Sequence, residues 1–242
     1  MSELYRSDLA YIQAAGFGDL ARGAAPAVVQ RLRSAQIPIR RVVDAGCGAG
    51  PLARPLADAG FEVTGIDQSS ELLVLARAAA PAARFICGSI YETALPACDA
   101  VIALGEPLTY HEGNADADRR VKDFFRHVSA ALPSGGLFIF DLIETGEPSL
   151  TGRFWTSGDD WVVFGETIED PAAQTLVRTI ETFRRAGDLY RRGREVHQVR
   201  LFDSSVINGW LLDCGFTVET TDRCYGEQKL GPRRRAFYAT HV

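Results

Sequence analysis

No two of the five cysteines, Cys47, Cys87, Cys98, Cys214 and Cys224, stand in a C-x-x-C pair, and their number is odd. That excludes a zinc ribbon or a disulfide framework as the organising principle, so no metal site is expected and the thiols read as reduced and mostly buried. No apolar run reaches the ~18–20 residues that a membrane-spanning helix needs. The opening "MSELYRSDLAY" has no basic stretch followed by an apolar one, so no secretory signal is expected and a cytoplasmic location fits. Positive charge is scarce as well: a net charge of −5 and a pI near 5.4 argue against nucleic acid or a membrane surface as partner, since both need a cationic face. The one basic run, "GPRRRAF", reads as a solvated turn. Also missing are G-x-S-x-G, H-E-x-x-H and a Walker-type phosphate loop, which disfavours hydrolase and phosphate-loop chemistry.

What is present is ordinary globular composition over 242 residues, enough for one sizeable core. Residues 1–40 place Leu4, Leu9, Ile12, Leu20, Val28, Val29 and Leu32 at helical intervals, broken into at least two pieces by Gly16, Gly18, Gly23 and Pro26. From 41 to 144 short apolar strands alternate with helices: "RRVVDAG", "FEVTGIDQ", "ARFICGS", "CDAVIALGE" and "LFIFDLIE" are the strands. That rhythm predicts a doubly wound, mostly parallel α/β sheet of Rossmann-like type. Residues 145–200 change to three extended segments of period two, an inserted antiparallel meander. Residues 201–242 supply a last helix and two strands that return to the main sheet, the final one antiparallel.

The stretch "VVDAGCGAG" ends a strand in an acid, Asp44, and follows it with Gly46, Gly48 and Gly50. Glycines admit positive φ and let a ligand approach the backbone without meeting a Cβ. In open α/β sheets such ligands lie outside the carboxyl ends of the strands. A dinucleotide loop is spaced G-x-G-x-x-G, with pyrophosphate at the helix N-terminus. Here Pro51 occupies the third-glycine position, and Asp44 would repel pyrophosphate. A carboxylate in front of the loop suits an ammonium or sulfonium ligand instead.

An acid followed by G-x-G-x-G resembles the first motif of the class I S-adenosylmethionine-dependent methyltransferases, and the resemblance continues in order over residues 41–144. It implies that Asp44, Gly46, Cys47, Gly48 and Gly50 lie under the amino-acid and ribose portions of S-adenosylmethionine. It further implies that Asp67, at the end of "FEVTGIDQ", accepts the ribose hydroxyls through charge-assisted bonds, with Gln68 beside the adenosine. In "CGSIYE" Ser89 stands where the family often has an acid, so Ser89 or the backbone of Ile90 would meet the adenine. Leu104 and Gly105 take the methionine side. The N-terminal helices would fold over the cofactor, with Tyr11 and Arg22 closing on its carboxylate. Cys47 reads as a small filler rather than a nucleophile, because no base pairs with it in the sequence.

Methyl transfer starts from an activated sulfonium, so positioning and exclusion of water carry most of the catalysis and no strict catalytic motif is expected. A base is required only where the acceptor must lose a proton early. Tyr110 and His111, just past Gly105, are the candidate catalytic residues. The meander holds Trp155, Trp161, Phe164, Phe183, Tyr190 and His197; its aromatics read mainly as the core of a small sheet, and the resemblance implies a lid over the acceptor. The expectation is a methyltransferase acting on N or O of a small molecule, as monomer or homodimer. A non-catalytic cofactor-binding protein and a nicotinamide-dependent oxidoreductase are the rivals.

Overall fold

The computed structural model describes residues 4–110, 116–221 and 224–242. Two helices, α1 (Ser7–Gly16) and α2 (Asp19–Arg33), precede an alternating series. The series runs β1 (Arg41–Ala45), α3 (Ala53–Asp58), β2 (Glu62–Asp67), α4 (Ser70–Ala79), β3 (Arg84–Cys87), β4 (Ala100–Ala103), α5 (Ala117–Ala131) and β5 (Leu137–Ile143). Four strands follow, β6 (Gly152–Ser157), β7 (Trp161–Asp170), β8 (Thr175–Ala186) and β9 (Leu189–Arg200). The chain closes with α6 (Ser204–Asp213), β10 (Phe216–Thr221), the short pair β11 (Cys224–Tyr225) and β12 (Gln228–Lys229), and β13 (Arg234–His241).

The main sheet has seven strands in the order β10-β13-β5-β4-β1-β2-β3. Its strands pair in parallel except at β13, which runs against both β5 and β10. Strands β4 ("AVIA") and β5 ("LFIFDLI") are apolar nearly throughout because helices cover both faces, and every residue of both is buried. Edge strand β3 is mostly exposed. β1 pairs with β2 on one side and with β4 on the other: the chain runs outward from β1 through β2 to β3, then crosses back to β4, so the strand order reverses at β1. This is where an open α/β sheet forms its crevice.

The inserted segment is a separate antiparallel sheet, β6-β7-β8-β9. It has four strands where three extended segments were expected. "RFWTSGDDWVVFGETIED" is cut by a turn at Gly158–Asp160, closed by Gly158 N donating to Trp161 O at 3.0 Å. The N-terminal break falls between Gly16 and Asp19 alone; α2 continues through Gly23 and Pro26. The aromatics of the insertion are not the core that their number suggested. Trp161 is buried against Ile12 of α1, while Trp155, Phe164 and Tyr190 are exposed. Helix α1 packs on α4 and reaches β8, and Asp8 holds Arg184 and Arg191 at 3.2 and 2.7 Å. Among the described residues no helix is long and apolar enough to cross a membrane.

Candidate active site

The glycine loop leaves β1 at the crevice. Gly46 N and Cys47 N donate to Ile66 O at 2.8 and 3.1 Å, so the loop is fastened to the end of β2. Asp67 completes the fastening: its two carboxylate oxygens accept from Gly48 N and Ser69 N, each at 2.9 Å. Ser69, not Asp67, caps α4, its Oγ accepting from Leu72 N. The glycines differ in what they face. A Cβ on Gly46 would lie 2.3 Å from Pro107 Cβ, whereas one on Gly48 (φ +53°) would meet nothing within 4 Å. The loop backbone is therefore bare on the cavity side.

Asp44 lies behind this loop with only 3% of its surface exposed. Its Oδ2 is buried and, among the described residues, has no hydrogen-bond partner. Burial, reinforced by the neighbouring Asp67 carboxylate, pushes its pKa up to about 7. An orphaned buried carboxylate oxygen is costly unless a donor or cation reaches it. Asp67 is also raised by burial, against the pull of its backbone donors. Two acids with elevated proton affinity beside a bare backbone fit a cationic, hydroxyl-bearing ligand such as S-adenosylmethionine. They do not fit pyrophosphate.

The other expected cofactor residues gather around the same space. Gln68 is exposed, Ile90 and Leu104 are buried, and all three line the cavity. Ser89 lines it too, its Oγ accepting from Tyr91 N at 3.3 Å. Gly105 (φ +84°) again has open space where a Cβ would stand, and its N–H donates to buried Asp141 at 3.0 Å. Cys47 packs on Leu73 and Ala76, with its thiol pushed well up by burial and then by Asp44 and Asp67. Arg22 reaches the cavity wall, but its guanidinium is paired with Asp19 at 2.9 Å. Tyr11 is a correction. It does not line the cavity: its hydroxyl is on Asp160 at 3.3 Å, and Arg184 lies 3.6 Å over its ring, because α1 turns that face toward the meander. Tyr110 lines the cavity and bonds Tyr5 Oη at 2.9 Å. His111 lies outside the described residues.

Sequence reasoning passed over the polar groups on the meander side. Glu106, at φ +77° and 5% exposed, accepts from Arg178 of β8 at 2.8 Å and from Arg234 of β13. Arg234 also bonds Asp141. Burial pushes Glu106 up, but Arg178 and Arg234 together outweigh it and hold the group below the ordinary glutamate value. "GPRRRAF" is therefore no solvated turn. Arg233, Arg234 and Arg235 pair with Glu169, Glu106 and Asp141, and Glu144 as the chain enters β13. His197, 1% exposed, sits 3.0 Å from Glu195 on the inward face of β9. The usable signal was period two: Leu176, Arg178 and Ile180, like Glu195, His197 and Val199, fall on one face of their strands.

Both groups of residues open onto one cavity of about 1620 Å³. Asp44, Gly48 and Asp67 line one side, and Arg178, Ile180 and His197 line the other. Residues 42–136 match the family model described as a methyltransferase domain. A protein of Geobacillus sp. (strain WCH70) that bears a provisional methyltransferase name is 29% identical over 188 residues, 74% of each chain. Among solved structures, an S-adenosylmethionine-dependent methyltransferase from Clostridium acetobutylicum ATCC 824 superposes with a TM-score of 0.79 at 20% identity, covering 96% of both chains. The sugar N-methyltransferase KedS8 from Streptoalloteichus sp. ATCC 53650 gives 0.76 at 18% identity, covering 100% of this chain and 94% of its own. Fold, glycine loop and family match agree: residues 42–136 match a methyltransferase domain, set in a fold that solved S-adenosylmethionine-dependent methyltransferases share.

Proposed function

We propose that the chain transfers a methyl group from S-adenosylmethionine to a nitrogen or oxygen of a small-molecule acceptor enclosed between the glycine-loop crevice and the meander. The observation that carries this is the cavity shared by loop and meander, whose roughly 1620 Å³ exceeds the ~300–1,000 Å³ that serves one drug-sized ligand. It has room for a cofactor at the strand tips and an acceptor beneath β7, β8 and β9. The similarity to a sugar N-methyltransferase supports an acceptor of that size, as does the net charge of −5, which offers nucleic acid no attraction.

The bound cofactor supplies the reactive methyl on a sulfonium; the chain supplies the setting. Asp44 offers its unpartnered Oδ2 to an ammonium group. Asp67 keeps a free lone pair on each oxygen beyond its backbone bonds, enough for two hydroxyls. Gly48 and Gly105 leave space for close approach, while Ser89 and Ile90 border the adenine end and Leu104 the methionine end. Residues 1–40 and 145–200 act as the covers of this site, and 41–144 with 201–242 as its base. Calorimetric titration with S-adenosylmethionine tests the cofactor half: saturable 1:1 binding is expected, weakened at least about tenfold in Asp67→Ala. Methyl-labelled cofactor offered with amines, hydroxy compounds and carboxylic acids tests the transfer. Absence of binding by the wild-type protein overturns the proposal.

A further inference from the structure

We infer that His197, oriented by Glu195, is the group that takes the proton from the acceptor during methyl transfer. This deepens the function proposed above and rests on it. The inference starts from Glu195. Its Oε2 accepts from Tyr5 N at 2.7 Å and its Oε1 from Arg6 N at 2.9 Å. A carboxylate held by two amide donors is an acceptor, so the 3.0 Å contact with His197 Nε2 places a hydrogen on Nε2. In the neutral ring Nδ1 then carries a lone pair, and among the described residues it has no hydrogen-bond partner.

His197 is 1% exposed yet lines the cavity, so that lone pair is removed from bulk water. The surrounding groups hold the ring in place. Tyr5 and Tyr110 pack on it with centroids at 5.1 and 5.7 Å, and their hydroxyls bond each other. On β8 the residue opposite is Arg178, whose charge is taken up by Glu106 beside Gly105. Tyr5 O accepts from Ser69 Oγ at 3.0 Å, two residues beyond Asp67. The dyad is thus tied to both ends of the cofactor crevice. A base with an oriented second nitrogen, and a carboxylate to stabilise the imidazolium, is the arrangement of activated nucleophile sites.

The step balances as follows. The acceptor lone pair forms the bond to the methyl carbon, and the carbon–sulfur bond breaks with its electron pair left on sulfur. The proton on the acceptor N or O passes to His197 Nδ1. The positive charge lost from sulfur reappears on the imidazolium, next to Glu195. Acceptors are therefore protonated nucleophiles, such as amines and hydroxyls.

Histidine-selective ¹⁵N NMR of the protein saturated with S-adenosylhomocysteine at pH 8 tests this. The resonances lost in His197→Asn are expected to show Nε2–H and a bare Nδ1. Should that variant not fold, the assignment follows from single replacements of His111, His127 and His241, the remaining histidines. A proton on Nδ1, or on both nitrogens, overturns the inference. For every acceptor that the wild type methylates, His197→Asn is expected to lower kcat at least ~100-fold. Glu195→Gln is expected to keep the Nε2–H form while lowering kcat about tenfold, which a purely structural contact would not do. Unchanged kcat in His197→Asn overturns the inference as well. Failure of the wild type to bind S-adenosylhomocysteine defeats the underlying function instead, whereas binding with the wrong ring form defeats only the role of His197.

Discussion

Replacing Asp44 by asparagine should make the unliganded protein more stable and the liganded one weaker. The folded state raises the Asp44 pKa from 3.8 to about 7, through burial first and Asp67 second. At about 1.36 kcal/mol per pH unit, ionising this buried group costs the fold about 4 kcal/mol at pH 8. The sign follows from proton uptake: the native state holds the proton more tightly than the unfolded chain between those two values. The wild type therefore loses stability as pH rises from about 4 to about 7, and levels off above. The asparagine amide has nothing to ionise. The gap in unfolding free energy between Asp44→Asn and wild type, from urea denaturation of apo protein, should grow from near zero at pH 4 to about 4 kcal/mol at pH 8. Asp67 titrates in both proteins and largely cancels from the difference. S-adenosylhomocysteine should bind the variant about 10–100-fold more weakly, the difference between a charge-assisted and a neutral hydrogen bond. A variant no more stable than wild type at pH 8, or one that binds as tightly, refutes the role assigned to the orphaned carboxylate.

The loop glycines should separate into two kinds. Gly48→Ala projects a Cβ into open cavity, so melting should report no more than the ~1–2 kcal/mol of left-handed strain while calorimetry shows binding reduced tenfold or more. Gly46→Ala drives its Cβ to 2.3 Å from Pro107 and should destabilise the apo fold as well. Glu106→Gln leaves Arg178 and Arg234 without their shared carboxylate and should cost about 3–5 kcal/mol in urea denaturation at pH 7. Because Glu106 is held below its ordinary value, its contribution is present above the glutamate range and is lost as pH falls through the folded value. The wild type's advantage over Glu106→Gln should therefore shrink in acid.

The cofactor side of the site was legible because it is built from consecutive residues. A strand that ends in Asp44, a run of alternate glycines and an acid at the next strand end form a local pattern, and the α/β rhythm fixes where such a pattern must lie. Tyr11 went astray because helical spacing alone does not say which face of α1 meets the cofactor and which meets β8. The basic run was misread for a related reason. The carboxylates that answer Arg233, Arg234 and Arg235 lie 64 to 128 positions away in the chain.

From the order of residues alone came the parallel sheet, the glycine loop, the inserted meander and the resemblance to a methyltransferase domain, since strand period, helix period and turn chemistry act over a few residues. Only the packed chain decided that Asp44 has an oxygen without a partner among the described residues, that one cavity joins crevice to meander, and that His197 meets Tyr5 and Tyr110 at its wall with Glu195 behind. Those facts depend on desolvation and on contacts between distant segments, which exist only once the second sheet has closed over the first.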